Sequence, residues 1–500
     1  MRKSKVLSLL LPLMLMTSMV SCGENAETEE SVESSKSSSV SANVSKDPVT
    51  ITIWHYYNGV QQMNFDSAVA EFNRTVGRDE GIIVESYSKD SIADLSENVI
   101  ASVKKNAGAK EPPDIFATYA ETAYVIDSMD ALADVGKYFT DEEISQYVDE
   151  YIDEGRFSKD GSVKIFPTAK STEVMMLNKT DWQDFAIAEN ITVDSLKTWE
   201  GIAEVAEKYY NYTDALTPDI ENDGRAFFGR DSVANYMIVG AKQLGAEFIS
   251  FDDSGNPVLN VNKDAVKRLW QNYYIPYVKG CYTAQGRYRS DDVKIGKSIA
   301  IICSTTGTAY YPTEVTIDDD YTYSIENIVL PVPNFEGTEP YVVQQGAGMS
   351  VISSTAEKEK ASAVFLKWFT DEERNIEFSI NSGYLPVKKS ANDFSKIAEV
   401  NSKSENAVKE TVLKSLELAI DEVNNYSLYT MKPFETASEV RDYLGNYIQD
   451  TAEASYQEVM EKISEGADRE EVIAEYISDS AFETWFSEFS SAMESMVNKQ

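Results

Sequence analysis

Short apolar runs alternate with longer amphipathic segments along the first quarter of the chain. The runs at 49–54 and 82–87 are rich in the β-branched and aromatic residues typical of strands, and the run at 112–117 enters a third predicted strand through two prolines. Between them, over 62–76 and 91–106, apolar residues recur every three or four positions, which predicts helices with one buried face. We therefore expect a βαβαβ unit with a parallel sheet, the basis of an α/β fold.

Two loops follow predicted strands of this unit. The segment 55–59 reads HYYNG and the segment 118–121 reads TYAE. Open parallel sheets bind ligands beyond the carboxyl ends of their strands. Both loops are therefore candidate ligand-binding segments.

The rest of the chain continues the alternation of strands and helices. We expect a helix to open within 195–200, a second helix to bury Trp270 in a core, and a strand at 298–303. The hydroxyl-rich segment 304–308 follows that strand and offers uncharged hydrogen-bonding groups. From about residue 405 to the end, the spacing predicts mostly helix.

The start of the chain has the pattern of a lipoprotein signal peptide over residues 1–21. A basic start precedes an apolar run over 6–20, which is too short for a stable membrane span. The segment 19–22 resembles a lipobox, with Met19 in place of the usual leucine, and Cys22 would become the acylated N-terminus. The alternative is an ordinary secretory signal that ends near a cysteine. Both predict a protein that acts outside the cytoplasm.

Residues 22–47 are dominated by Ser, Glu, Thr, Ala and Asn, with almost no large apolar side chain. Such a segment cannot bury enough surface to offset its ordering entropy, so we expect a disordered tether behind the lipid anchor on Cys22.

Composition narrows the classes of partner. The chain has 83 acidic and 45 basic residues and a formal charge of −38, and loss of three leader cations would make it −41. A surface this acidic disfavours nucleic acid as a partner, and solubility is the simplest reason for the charge. Apart from Cys22, the cysteines are Cys281 and Cys303, which either form a disulfide or remain buried free thiols.

Several chemistries lack the residues they need. His55 is the single histidine, which disfavours a Ser-His-Asp arrangement or a histidine-rich zinc site, and we find no P-loop or dinucleotide fingerprint. A surface glycoside hydrolase stays open, because a pair of catalytic carboxylates cannot be excluded by counting acids. A purely adhesive lipoprotein is a third alternative.

A collinear set of motifs resembles the extracellular solute-binding proteins of carbohydrate ABC transporters, the family 1 sugar-binding lipoproteins. The resemblance covers about residues 48–390. It is carried by the segments 51–55, 113–116, 171–174, 177–179, 296–301, 344–351, 363–369 and 382–387.

This resemblance implies a type II periplasmic-binding-protein-like fold, with two α/β lobes joined by a hinge and the ligand cleft between them. Three chain crossings would fall near Lys170, Gly346 and Tyr384. Lobe 1 would comprise 48–170 plus 347–383, and lobe 2 would comprise 171–346 plus 384–500, including the C-terminal helices. Glycines suit a hinge because they allow close backbone approach and unusual torsions.

The resemblance also supplies candidate ligand-binding residues. Aromatic faces cover the apolar side of a pyranose, while hydroxyls, amides and carboxylates bind its hydroxyl groups. For Trp54 and Asp231 the alternatives are a core position and a solvated carboxylate. The candidates are Trp54, Tyr56, Tyr57, Asn58, Tyr119, Glu121, Ser171, Thr172, Asp231, Thr305, Thr306, Gly346 and Tyr384.

The chain departs from the glycerol-phosphate-binding members of that family. It has the polar run 88–91 where they carry a tyrosine, 229–232 where they carry tryptophans, and 431–434 where an arginine is expected. A neutral mono- or oligosaccharide is therefore the preferred ligand, and a polyol phosphate is an alternative.

We accordingly expect a monomeric, lipid-anchored receptor on the outer face of the cell membrane. It would deliver a carbohydrate to the permease subunits of an ABC transporter. We expect no catalytic residue, cofactor, metal ion or nucleic acid to take part.

Overall fold

The computed structural model describes residues 47–404 and 407–499. The predicted signal peptide, the lipidation site Cys22 and the tether as far as residue 46 lie outside the described residues. The strands are β1 (Val49–His55), β2 (Ile82–Ser88), β3 (Ile115–Thr118), β4 (Glu173–Asn178), β5 (Phe228–Arg230), β6 (Ile249–Phe251), β7 (Pro257–Leu259), β8 (Ala300–Ser304), β9 (Glu314–Thr316), β10 (Thr322–Ser324), β11 (Asn327–Leu330), β12 (Tyr341–Val343), β13 (Gly348–Val351) and β14 (Ser427–Tyr429).

The α-helices cover the two larger sheets and form the C-terminal part of the chain. They are α1 (Gly59–Arg74), α2 (Val76–Glu80), α3 (Ile92–Val103), α4 (Ala120–Asp127), α5 (Asp141–Ile144), α6 (Asp149–Glu154), α7 (Lys179–Glu189), α8 (Trp199–Asp214), α9 (Val233–Gln243), α10 (Lys263–Val278), α11 (Arg289–Lys294), α12 (Ala356–Phe369), α13 (Glu372–Ser382), α14 (Phe394–Lys403), α15 (Glu410–Asn425), α16 (Ala437–Ser464), α17 (Arg469–Tyr476) and α18 (Asp479–Val497).

The first sheet has the strand order β13-β3-β1-β2. β1 pairs in parallel with both β2 and β3, as the βαβαβ pattern predicts, while β13 returns antiparallel to β3. Ile51 and Ile53 of β1 are fully buried, because helices cover the sheet. The third strand begins at Ile115, so the two prolines at 112–113 precede it and leave its hydrogen bonds intact.

The second sheet has the strand order β11-β4-β8-β5. β8 runs parallel to β5 and antiparallel to β4. Trp199 opens α8 behind the cap residue Thr198, whose hydroxyl accepts the Gly201 N–H. Trp270 is 2% exposed in the core of this lobe, as the helical spacing predicts.

Three chain segments run side by side between the two sheets. Lys170 pairs with Leu385, and Ser171 pairs with Gln345, through isolated bridges. These contacts lie where the hinge crossings are expected. The residue bounds drawn there for the two lobes remain a prediction.

The C-terminal helices pack on the second lobe. α16 lies against α9 and α10, and side chains of α16 and α18 share one apolar core with Trp270. The two remaining cysteines, Cys281 and Cys303, are buried free thiols rather than a disulfide. Burial raises the pKa of the Cys281 thiol to about 12, so this thiol stays protonated.

Candidate functional site

Both sheets present strand ends to the region where the chain crosses between them. In the first sheet, β1, β2 and β3 run parallel, so their carboxyl ends lie at one edge. In the second sheet, Glu173 at the start of β4 pairs with Ser304 at the end of β8. We call these the hinge edges of the two sheets, and the predicted ligand cleft would lie between them.

Four predicted tyrosines form a cluster at the hinge edge of the first sheet. The hydroxyl oxygens of Tyr56 and Tyr384 lie 3.3 Å apart, and the rings of Tyr56 and Tyr57 have centroids 5.3 Å apart. The hydroxyl of Tyr119 lies within electrostatic range of those of Tyr56 and Tyr384. Burial raises the pKa of all four hydroxyls above its usual value, so the cluster is neutral and can donate hydrogen bonds.

The four tyrosines differ in accessibility. Tyr56 and Tyr119 are half-buried, whereas Tyr57 is 2% exposed and packs against His55, Phe65 and Phe378. Tyr57 therefore supports the core of the lobe more than it offers a surface to a ligand.

Trp54 and Asn58 occupy contrasting places at the same edge. Trp54 is 5% exposed in an apolar cluster with Phe116, and the Lys89 ammonium lies 3.8 Å from the centroid of its indole. This placement favours the core alternative for Trp54. Asn58 is exposed at the start of α1 and makes no side-chain cap hydrogen bond, so its amide is available to a ligand.

His55 has a structural role. It is fully buried, its Nδ1 accepts the Tyr57 N–H at 3.2 Å, and burial lowers the pKa of its imidazole to about 4. The ring is therefore neutral near pH 7.

The hinge edge of the second sheet carries a buried polar network that the sequence did not reveal. Glu173 accepts a hydrogen bond from Arg230 at 2.6 Å and another from the Asn235 amide at 2.7 Å. The same amide lies 3.1 Å from Oε1 of Gln345 on the second crossing, and Oδ1 of Asn235 accepts from the Arg441 guanidinium at 2.6 Å. This network, Glu173–Arg230–Asn235–Gln345–Arg441, fixes one cation at the cleft.

Arg441 faces the tyrosine cluster. Its positive charge opposes the increase in pKa that burial gives Tyr119, which places the guanidinium within electrostatic range of that hydroxyl. No carboxylate lies within ion-pairing distance of Arg441 in the described part of the chain. No local sequence signal marked this residue, because it lies on α16, far from the strand-end loops.

Asp231 is exposed at the carboxyl end of β5. One of its carboxylate oxygens accepts the Arg289 N–H at 2.8 Å. Desolvation by the surrounding protein raises the pKa of the Asp231 carboxyl above its usual value. The hydrogen bond from Arg289 lowers this pKa by a smaller amount. Its charge acts on both Cys303 and Glu173, so Asp231 lies at the same edge as they do.

The predicted hydroxyl residues divide into accessible and buried ones. Thr306 is half-buried, and its hydroxyl lies 2.7 Å from that of Ser304. Thr172 and Thr305 are at most 1% exposed, and their hydroxyls have no hydrogen-bond partner. Ser171 is also buried, with its backbone paired to the second crossing, so Thr306 offers the most accessible of these hydroxyls.

Gly346 meets a stricter requirement than Gly348. It has a φ of +99°, and an added Cβ would lie 2.9 Å from the Ala169 carbonyl oxygen, so torsion and close approach both favour glycine. At Gly348 close approach is the only requirement, because an added Cβ would lie 2.7 Å from the Phe166 carbonyl oxygen. At the same place the buried ammonium of Lys170 donates to the Gly346 carbonyl at 2.9 Å and forms an ion pair with Glu154.

Glu121 is half-buried in the first turn of α4, beside Tyr119. The first sheet thus brings together Tyr56, Tyr119, Glu121 and Asn58, with Tyr384 at a crossing. The second brings together Asp231, Thr306 and the network. No group of metal-binding side chains occurs among residues 47–404 and 407–499.

A surface cavity of about 480 Å³ lies elsewhere, beside Lys242, Glu247 and Tyr341. It opens at the far end of α9 from the hinge edge. Lys242 and Glu247 form an ion pair with each other, so its charged groups are already satisfied. We therefore place the candidate site at the hinge edges.

A family model described as bacterial extracellular solute-binding protein matches residues 67–408, more than half of the chain. The chain belongs to this family. The predicted relationship to solute-binding proteins is thereby confirmed. No helix in the described residues is long and apolar enough to span a membrane.

Solved structures of similar fold are binding proteins. The cyclic α-maltosyl-1,6-maltose binding protein of Arthrobacter globiformis has a TM-score of 0.61 at 18% identity, covering 88% of this chain and 99% of its own. A Listeria monocytogenes ABC substrate-binding protein in complex with cycloalternan gives 0.60 at 14% identity, with 89% and 100% coverage. UgpB of Mycobacterium tuberculosis in complex with glycerophosphocholine gives 0.61 at 15% identity, with 83% and 97% coverage. A search of curated proteins found no match to this solute-binding protein.

Proposed function

We propose that this solute-binding protein captures a neutral carbohydrate between the hinge edges and delivers it to the permease of an ABC transporter. The observation that carries the proposal is the neutral cluster of Tyr56, Tyr119 and Tyr384 facing a polar second edge. Aromatic rings cover the C–H face of a sugar, and the hydroxyls of the cluster remain donors because burial keeps them protonated.

The second edge supplies complementary groups for sugar hydroxyls. Asp231 has an exposed carboxylate, Thr306 a half-buried hydroxyl and Arg441 a guanidinium with donors to spare. Solute-binding sites commonly combine apolar surface with a few fixed polar groups of this kind.

A polyol phosphate is a second candidate ligand, and Arg441 is the observation that favours it. Its guanidinium has no ion-pairing carboxylate among the described residues, and Asn235 holds it in place. Guanidinium groups bind phosphate oxygens in a bidentate manner. UgpB, in complex with glycerophosphocholine, has a similar fold, and an uncompensated cation is notable in a chain with a net charge of −38.

The proposal includes the cellular location of the protein. The family is extracellular, and we propose anchoring through a lipid on Cys22, with residues 22–47 as the tether. We also propose that the protein performs no catalysis. The glycoside hydrolase alternative would require turnover of an oligosaccharide by the purified protein.

A thermal-shift screen distinguishes the two ligand classes. A ligand that binds the folded state alone raises the melting temperature according to RT ln(1 + [L]/Kd). The screen would contain neutral mono- and oligosaccharides, glycerol 3-phosphate and glycerophosphocholine, tested with the wild type and Arg441→Gln.

Stabilisation by a neutral sugar, without hydrolysis, supports the first candidate. Stabilisation by the phosphates alone, lost in Arg441→Gln, supports the second. If no compound of either class shifts the melting temperature, or if the sugar is cleaved, the proposal is wrong.

A further inference from the structure

An exposed tyrosine on the second lobe precedes a residue whose backbone N–H binds Asp231. Tyr288 is 54% exposed and immediately precedes α11. The N–H of the next residue, Arg289, donates to the Asp231 carboxylate at 2.8 Å. The backbone of Tyr288 therefore lies near the carboxyl end of β5, and we call this part of the second hinge edge the rim.

The loop that carries Tyr288 continues the second sheet. Phe228 of β5 pairs with Tyr282, and the Thr283 N–H donates to the Phe228 carbonyl at 3.0 Å. Gly229 permits this approach, because an added Cβ would lie 2.7 Å from the Thr283 carbonyl oxygen. The loop is thus fixed to the strand whose end carries Asp231.

A buried ion pair holds the remainder of the loop. Arg289 and Asp292 are 5% and 1% exposed, and their guanidinium and carboxylate lie 2.6 Å apart. Arg289 also donates to the Gly286 carbonyl, and Asp292 accepts the Gly286 N–H at 2.7 Å. A loop ordered in this way presents the Tyr288 ring at little further entropic cost on binding.

The groups around the ring match the chemistry of one sugar unit. The Arg287 guanidinium lies 5.3 Å from the ring centroid and covers one face, while the ring remains 54% exposed. One oxygen of Asp231 is bonded to the loop, and the exposed carboxylate can still accept a hydroxyl. An exposed aromatic ring with a guanidinium over one face and a carboxylate at the adjoining strand end suits a saccharide ring with its hydroxyls at the edge.

These surroundings differ from those of the tyrosine cluster. Tyr119 interacts with Glu121, Glu154 and Arg441, whereas the ring of Tyr288 lies beside Arg287. The two aromatic surfaces belong to opposite hinge edges.

We propose that Arg287, Tyr288 and Asp231 form an outer subsite for a sugar unit, so that the ligand is an oligosaccharide extending from the tyrosine cluster to this rim. The inference rests on the proposed carbohydrate function. Beyond that function, the inference states that the ligand has more than one sugar unit and names the residues that select for this length.

Isothermal titration calorimetry with homologous series of gluco-, xylo- and manno-oligosaccharides of one to six units tests the subsite. The proteins are the wild type, Tyr288→Ala, Tyr288→Phe and the control Tyr321→Ala. Tyr321 is 57% exposed next to strand β10, so it matches Tyr288 in accessibility. Melting temperatures of the ligand-free variants serve as the folding check.

In the wild type, affinity should rise at least tenfold with one added unit of the bound series. Tyr288→Ala should lose that gain while binding shorter members within twofold of wild type, and Tyr288→Phe and Tyr321→Ala should retain it. Tyr288→Phe should retain the gain because a phenylalanine ring can stack on a sugar without the hydroxyl.

The subsite is wrong if wild-type affinity does not rise with length, or if Tyr288→Ala weakens all lengths equally. It is also wrong if Tyr321→Ala has the same effect. Binding of monosaccharides alone would overturn the subsite and leave the carbohydrate function intact, whereas no binding of any series would overturn both.

Discussion

The two hinge edges differ in chemistry. The first edge presents neutral aromatic side chains whose hydroxyls touch one another, as with Tyr56 and Tyr384. The second edge presents charges that are fixed by hydrogen bonds, as with Glu173, Asn235 and Arg441. The first edge offers aromatic area with little directional demand, and the second offers polar groups of fixed direction. Under the proposed function, a ligand would have to satisfy both edges before the lobes close on it.

The largest effect should come from breaking the charged edge. Glu173→Ala would leave the Arg230 guanidinium, 2% exposed, without its carboxylate. Removing one partner of a buried ion pair typically costs about 3–5 kcal/mol. Urea unfolding should show this loss of stability.

The matched control is Glu483→Ala, which removes the surface pair of Glu483 with Lys263 and should cost less than about 1 kcal/mol. Equal losses in both variants would show that the buried network does not stabilise the second edge.

The aromatic edge should separate binding from folding. Ala at the half-buried Tyr56 or Tyr119 should weaken ligand binding by about 2–4 kcal/mol, the usual cost of losing an aromatic anchor, with little change in melting temperature. Ala at Tyr57, 2% exposed among Phe65 and Phe378, should instead destabilise the fold by about 3–5 kcal/mol.

Calorimetry and thermal melts of the three variants measure both quantities. Normal binding by Tyr56→Ala and Tyr119→Ala would mean that these tyrosines are structural and that the aromatic edge is not the site.

The close packing of the hinge crossings can be tested by substituting Gly346. Gly346→Ala combines a φ of +99° with a Cβ 2.9 Å from a backbone oxygen, and strain of this kind costs about 1–3 kcal/mol. Gly245→Ala is the control, because Gly245 has a φ of +73° and no atom within 4 Å of the added Cβ.

Chemical denaturation should therefore show a larger loss of stability for Gly346→Ala. Identical losses would mean that the close approach of the first two crossings places no demand on the backbone.

A pH-dependent effect concerns a buried acid behind the charged edge. Glu422 is 1% exposed, one of its oxygens has no hydrogen-bond partner, and burial raises the pKa of its carboxyl to about 8. Between its ordinary pKa and about 8 the folded state holds a proton that the unfolded state releases. Stability should therefore fall as pH rises through this window, by up to about 1.4 kcal/mol per pH unit.

Glu422→Gln should remove this slope in unfolding experiments between pH 5 and pH 8. A slope unchanged by the substitution would show that Glu422 is ionised in the folded protein or that another group titrates.

The sequence predicted local features better than distant assembly. Periodicity predicts the βαβαβ unit and its strand-end loops, and motif order predicts the family. Both signals depend on residues that are close together in the sequence. The predicted run 112–117 begins three residues before β3, because the two prolines that lead into it lie outside the strand.

The network of the second edge could not be predicted in the same way. Arg441 and Asn235 are 206 positions apart, and tertiary packing of α16 against α9 brings them together. Burial likewise separated residues that looked alike in sequence. Thr305 is buried while Thr306 is half-buried, and Tyr57 is buried while Tyr56 is half-buried.

The central claim is that a solute is held between the two edges and draws them together. Small-angle X-ray scattering of the wild type, with and without the best ligand of the thermal-shift screen, tests it most directly. The account predicts a smaller radius of gyration at saturation, because the closed form gains contacts that the open form lacks. An unchanged radius at saturation, with binding verified by calorimetry in the same buffer, would contradict it.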